Sequence, residues 1–190
     1  MTPALYFDLG SPYAFLAVER AERVLGVMPS LRPIFLGGIF VMRGRGSWAY
    51  TTERETNIAE VERRAALYGL APLKWPPGWP NRTLDAMRAA IWAEMNEALP
   101  SFARLAFRRA FLEGADLSDV DVLIDIGRAV GLDDVVLRRA IERPAIKERL
   151  RAATDAAWKR GVRGAPTLII GHSIYYGDDQ LEQAAARAAA

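Results

Sequence analysis

Strand chemistry in this chain is confined to its two ends, and that division limits the folds open to it more than any other feature. Residues 4–9, ALYFDL, form a compact apolar run bounded by Gly10, which fits a short buried strand. Gly10-Ser11-Pro12 then supplies a helix start, with Ser11 at the N-cap and Pro12 at the first helical position, where a missing N–H costs nothing. Tyr13, Leu16, Ala17, Arg20, Ala21, Val24 and Leu25 recur at helical spacing up to Gly26. Residues 31–36, LRPIFL, make a second extended segment ahead of Gly37-Gly38, so the chain opens as strand, helix, strand. At the far end Pro166 to Ile170 reads as a strand, Gly171-His172 as a two-residue turn and Ser173 to Tyr176 as the antiparallel partner. Gly177-Asp178-Asp179 opens a final alanine-rich helix.

Between about residues 42 and 145 the pattern is helix after helix. One helix is expected over 53–68, with Thr52 as a cap and Ile58, Val61, Ala65 and Leu67 on its apolar side. The loop WPPGWP at 75–80 interrupts. Leu84, Met87, Ile91, Trp92, Met95 and Leu99 then keep three-four spacing, and Pro100 marks a break before a further helix to about Glu113. Ser118 and Asp119 offer caps for a helix through Val122, Leu123, Ile126 and Val130; a short helix follows to Ile141, and Lys147 to Arg160 is helical. The resulting order, βαβ, helical block, α, ββ, α, is an α/β thioredoxin-like arrangement with an all-helical domain inserted after its first βαβ half. The expected division is residues 1–41 and 146–190 for the thioredoxin-like domain and 42–145 for the insert.

Composition removes several chemistries. At 51% hydrophobic residues the chain is too apolar to stay disordered. It has no cysteine and one histidine, His172, which excludes disulfide scaffolds, thiolate metal sites, cysteine nucleophiles, redox dithiols and a histidine-dominated metal centre. His172 falls in the hairpin turn and is expected to be exposed. Lys and Arg number 25 against 23 Asp and Glu, and the formal +2 is too small a field to suggest a nucleic-acid partner. No apolar stretch approaches the about 18 residues needed to cross a bilayer, and MTPALYFDLG reads as a strand instead of a secretory leader. A cytoplasmic protein without a membrane partner is the expectation.

Three segments taken together resemble a known family. FDLGSPYAFLA (7–17), LRPIFLGGIF (31–40), and RGVRGAPTLIIG (160–171) with YYGDDQLE (175–182) are similar to the 2-hydroxychromene-2-carboxylate isomerases and their relatives, the kappa-class glutathione transferases, both within the DsbA-like thioredoxin-fold group. The insert carries similar stretches, WPNRTLDAMRAA (79–90) and AFRRAFLEGADLSDVDVL (106–123). The resemblance implies a glutathione cofactor, a small aromatic carboxylate substrate and a homodimer. It also implies a reaction in which the thiolate adds to the conjugated ring, the ring opens, a bond rotates and elimination returns glutathione. A kappa-like transferase would instead consume glutathione, and a thioredoxin-fold binding module without catalysis is the reading from a different class.

In redox members of this fold a cysteine sits at the N-terminus of the first helix, where unpaired N–H groups and the helix dipole favour a thiolate. Here that position is Ser11, the catalytic candidate. A serine cannot exchange disulfides, but its O–H can be aimed at a thiolate carried by the ligand. Lowering a thiol pKa from about 8.5 to about 6.5 takes about 2.7 kcal/mol. A helix N-terminus contributes up to about 2 kcal/mol and a charge-assisted hydrogen bond about 1.5–3, so no base is required. A capping serine with no chemistry would look the same locally.

By resemblance, Ala165 and Pro166 hold the ligand's cysteinyl backbone across a cis Ala165-Pro166 bond, and Asp179, with Asp178 beside it, holds the γ-glutamyl ammonium. Asp at a helix start is stabilising whatever binds nearby, and Pro166 would equally suit the start of an edge strand in the trans form. On the substrate side the chain departs from its relatives: Arg45 and Arg82 stand where asparagine is usual, the second next to Asn81. Arginine there suits an anionic carboxylate, although loop arginines are also commonly solvated. Trp79, with Trp48, would wall an aromatic cleft or pack between lobes, and Tyr13 reads as a helix-face aromatic.

Overall fold

The computed structural model describes residues 2–188. β1 (Ala4–Phe7) is its central strand, with Leu5 and Phe7 fully buried on one side and Tyr6 nearly so on the other. β2 (Ser30–Pro33) lies parallel to it, Ala4 opposite Ser30 and Phe7 opposite Pro33. β3 (Thr167–Ile170) lies antiparallel, Ala4 opposite Ile169 and Tyr6 opposite Thr167, and β4 (Ser173–Tyr176) completes the order β2-β1-β3-β4. The parallel pair needs a crossover, which α1 (Pro12–Leu25) supplies. Ser11 caps α1 by accepting from Ala14 N, and Gly26, at φ 70°, ends it in the left-handed region that glycine enters without strain.

Eight further α-helices follow among the described residues: α2 (Leu36–Arg43), α3 (Arg54–Leu67), α4 (Leu84–Met95), α5 (Leu99–Phe111), α6 (Val120–Ala129), α7 (Asp134–Glu142), α8 (Pro144–Lys159) and α9 (Leu181–Ala188). α4 to α7 pack on one another, α8 packs on α2 and β2, and α9 packs on α1 and β3. The helical block meets the sheet layer through aromatic rings: Phe107 of α5 lies 5.8 Å from Phe7 and 6.2 Å from Phe15, and Phe111 lies 5.5 Å from Phe15. The architecture is the thioredoxin-like α/β order with a run of helices between its halves. Among the described residues no helix is long and apolar enough to cross a membrane.

Three local expectations are corrected. The extended segment 31–36 is a strand only to Pro33, and Leu36 already belongs to α2. The cause lies in side chains remote in sequence, since Thr154 Oγ1 accepts from Phe35 N at 3.0 Å and Asp8 Oδ2 from Leu36 N at 2.8 Å, which turns the backbone into a helix. Leu99 starts α5 instead of ending α4, because Glu97 takes a φ of 58° between them. Thr52 caps nothing in α3, whose N-cap is Glu53 without a side-chain bond; Thr51 Oγ1 accepts from Glu53 N instead.

Asp8 is the tie among these segments. Its buried carboxylate accepts from Gly10 N at 2.8 Å, Leu36 N at 2.8 Å and Thr83 Oγ1 at 3.0 Å, joining the loops after β1 and β2 to the start of α4. Gly10 makes room for it: a Cβ there would lie 2.9 Å from Thr83 Cγ2. Burial pushes the Asp8 carboxyl above 3.8, against the three donors that pull it down. Asp8→Ala is expected to lower stability by about 1–3 kcal/mol, because three donors lose their acceptor. The raised native pKa means that the folded state holds the proton more tightly than the unfolded one. The contribution is therefore fullest below 3.8 and declines as pH rises through the folded value. Urea unfolding of both proteins across a pH series should show the gap narrowing upward.

Candidate active site

Ser11 sits where the first turn of α1 meets the end of β3's approach. Its Oγ accepts from Ala14 N at 3.2 Å and donates to the carbonyl oxygen of Ala165 at 3.0 Å. The Ala165-Pro166 bond is cis, as the resemblance implied. Ser11 N donates to Asp8 O at 3.0 Å and Ser11 O accepts from Phe15 N at 3.1 Å, so the loop that presents the hydroxyl is held at both of its backbone groups.

In front of this pair opens a cavity of about 1000 Å³. Ser11, Ala165, Pro166, Asp178 and Asp179 line it, and so do Arg45, Trp79, Asn81 and Arg82 from the substrate-side expectations. Its aromatic wall is a chain of ring contacts, Tyr13 to Trp48 at 6.0 Å and Trp48 to Trp79 at 5.3 Å, backed from outside the cavity by Trp75, 4.7 Å from Trp79. Trp79 thus both packs and lines, being 6% exposed while still facing the cavity. Its loop is pinned by Arg54 Nη2, which donates to Trp79 O at 3.0 Å. Arg45 lies exposed at the rim, and Arg82 is 71% exposed, within 3.7 Å of Asp85. Asn81 Nδ2 donates to Pro77 O at 3.0 Å. His172 is exposed in the β3–β4 turn.

Three lining residues were not singled out from sequence for the site. Tyr13 is one turn position beyond Pro12, and its hydroxyl donates to Asn57 Oδ1 at 3.0 Å at the edge of the cavity. Burial pushes the Tyr13 phenol up while Arg64 pulls it back, so it stays a neutral donor at neutral pH. Asn57 and Arg64 come from the polar side of α3, where only the apolar spacing had carried information. The signal for Tyr13 was present in its adjacency to Ser11-Pro12; for Asn57 and Arg64 there was none.

The adjacent carboxylates Asp178 and Asp179 have separate surroundings. Asp178 is fully buried and engaged inside the protein: Oδ1 takes Arg64 Nη1 at 2.8 Å, Oδ2 takes Tyr68 Oη at 2.9 Å, and Arg20 Nη1 stands 4.0 Å away. Arg20 also pairs with Glu182 and stacks over the Tyr68 ring at 3.3 Å. Burial pushes the Asp178 carboxyl up, and Tyr68 and Arg64 draw it back down. Asp178, expected beside Asp179 at a bound ligand, lines the cavity with both of its oxygens engaged by these partners. Asp179 is 50% exposed at the cavity, with Arg64 Nη1 3.5 Å from it.

The model of the DSBA-like thioredoxin domain family matches residues 4–189. A 2-hydroxychromene-2-carboxylate isomerase of Sphingobium xenophagum is 29% identical over 183 residues, covering 93% of this chain and 92% of the relative. The glutathione S-transferase kappa 1 of Rattus norvegicus is 26% identical over 196 residues, covering 94% and 86%. Among solved structures, a 2-hydroxychromene-2-carboxylate isomerase superposes with a TM-score of 0.85 at 22% identity, over 100% of this chain and 96% of that one. The cytosolic disulfide reductase DsbM of Pseudomonas aeruginosa, solved with GSH, gives 0.60 at 14%, over 96% and 93%.

The two carboxylates should separate by experiment. Asp178→Ala leaves the Tyr68 hydroxyl without its acceptor and Arg20 with Glu182 as its remaining carboxylate, and is expected to lower stability by about 1–3 kcal/mol. Asp179→Ala, at a half-exposed position, is expected to stay within about 0.5 kcal/mol. Chemical denaturation of the two variants measures both.

Proposed function

The chain belongs to the DSBA-like thioredoxin domain family, and on that premise we propose that it is a glutathione-dependent isomerase acting on an aromatic carboxylate of the 2-hydroxychromene-2-carboxylate type. The observation that carries the reading is Ser11. In a chain without cysteine, a buried hydroxyl occupies the N-terminus of α1 and lies 3.0 Å from Ala165 O, beside a cavity large enough for a tripeptide and a bicyclic ring. Relatives named for this isomerisation and for kappa-class transfer cover more than nine-tenths of the chain, which supports an enzyme of this kind.

The donor set fits the tripeptide. The Ser11 O–H and the first-turn N–H groups of α1 offer positive charge density to a sulfur anion. The Ala165 backbone, just ahead of β3, is placed to pair with an extended peptide as an added strand. Asp179 is a half-exposed carboxylate suited to an ammonium group. When bound, glutathione supplies the nucleophilic thiolate that the chain itself lacks.

On the other side of the cavity Trp48 and Trp79 offer ring faces to an aromatic substrate, and Arg45 and Arg82 at the rim offer guanidinium forks to its carboxylate. Tyr13 holds a neutral O–H between the two halves of the site. Substrate position is thereby set from the loops, while the sulfur is set from the helix.

The test is isomerisation of a 2-hydroxychromene-2-carboxylate, followed spectroscopically, with glutathione measured before and after. Turnover that requires glutathione and returns it unchanged is expected. Ser11→Ala should lower kcat about 10- to 100-fold, matching the loss of one charge-assisted hydrogen bond of about 1.5–3 kcal/mol, while glutathione still binds. Stoichiometric consumption of glutathione would make the enzyme a transferase, and no binding at millimolar glutathione would overturn the reading.

A further inference from the structure

Ser11 has one proton to give, and in the structure that proton is already engaged. The hydroxyl donates to Ala165 O at 3.0 Å while its oxygen accepts the Ala14 N–H at 3.2 Å. Ser11 and Ala165 both line the cavity, so once a ligand fills it and displaces water, an O–H that turned away would leave the carbonyl without a partner unless the ligand supplied one. A ligand sulfur therefore competes with a hydrogen bond that the fold has already satisfied.

We propose that the ligand's own cysteinyl N–H releases Ser11. By donating to Ala165 O it takes over the carbonyl, and the Ser11 O–H turns to the sulfur, whose proton leaves to solvent. The inference rests on the glutathione reading above and adds the trigger that makes the hydroxyl available.

The geometry favours this particular N–H. The sulfur and the amide nitrogen of one cysteinyl residue are joined through only its Cα and Cβ, so a ligand whose sulfur meets Ser11 Oγ carries its N–H to the neighbourhood of Ala165 O, 3.0 Å from that Oγ. The β1–β3 ladder stops at Thr167, and Ala165 lies beyond it at the cavity wall with its carbonyl held only by the Ser11 hydroxyl, so a ligand there can reach it. The cap bond from Ala14 N uses a lone pair and not the proton, so the hydroxyl turns about its Cβ–Oγ bond without uncapping α1. A small thiol without an amide N–H would enter the same cavity and find the proton still held by Ala165.

The experiment compares glutathione with its depsipeptide analogue, in which an ester oxygen replaces the cysteinyl N–H. Thiolate ultraviolet absorbance is titrated for each ligand free and bound, so that each serves as its own reference. With the wild-type protein the thiol pKa of glutathione is expected to fall by about 2 units on binding, and that of the analogue by at least about 1 unit less. With Ser11→Ala both ligands should show the same small fall. Equal falls for the two ligands on the wild type would overturn the release while leaving the glutathione reading intact. A difference that persisted in Ser11→Ala would also overturn it, by assigning the effect of the amide to another group. Failure of both ligands to bind would remove the glutathione reading and the release together.

Discussion

A single short antiparallel ladder closes the chain on itself: Ala4 to Tyr6 against Thr167 to Ile169. Everything between those strands is, in polymer terms, one loop, and the entropy of closing a loop grows only with the logarithm of its length. A long helical segment can therefore sit inside it at modest cost, provided that the helices bury their own apolar faces, as α4 to α7 do against one another. The same ladder sets the geometry of the candidate site. Ser11 lies four residues beyond the end of β1 and Ala165 two residues ahead of β3, and their contact at 3.0 Å exists only in this register. A slip by one residue would invert every side chain of β3 and carry Ala165 away from the helix cap.

Around the ladder, buried charge also joins elements that are distant in sequence. Arg20 of α1 is held between Asp178 and Glu182 under the Tyr68 ring of the α3 end, so three segments meet on one guanidinium. Tyr68 is pushed up to about 12, by burial first and then by Asp178, and remains a donor throughout the physiological range. Such a group adds less to stability than an apolar one of the same volume would, because desolvation offsets most of the attraction. Its effect is on geometry: Asp178 is fully enclosed, which fixes the next residue, Asp179, at the wall of the cavity.

Much of the fold could be read in the chain, and the reasons are local. Gly10-Ser11-Pro12 carries its own helix start, Gly171-His172 its own hairpin, and the three-four spacing of Leu84, Met87 and Ile91 its own helix. What escaped depended on partners far away in sequence. Leu36 turns into a helix because Asp8 accepts its N–H, and no window around residue 36 contains Asp8. The site divides in the same manner. Ser11, Ala165, Pro166 and Asp179 at the cavity were legible because family-like motifs surround them, Arg45, Asn81 and Arg82 because the chain departs there from the family it resembles, and Trp79 because it falls in a loop. Asn57 and Arg64 were not, since a polar residue on an exposed helix face looks alike whether it meets water or a cavity. Asp178 and Asp179 stand side by side in sequence, yet one is enclosed and the other open, a distinction that only the packing of Arg20, Arg64 and Tyr68 creates.

The aromatic wall has a bearing on how such a protein can diversify. Trp48 and Trp79 reach the cavity from irregular segments, one in a single tight turn and the other in a proline-flanked loop, whereas Ser11 and Ala165 are pinned by the ladder and the helix cap. Substitutions in those segments alter the shape and stickiness of the wall without touching the register that sets the serine. The Ser11–Ala165 pair is thus conservative by construction and the wall is permissive, so selection can reshape the cavity one loop residue at a time, with the sheet beneath it undisturbed.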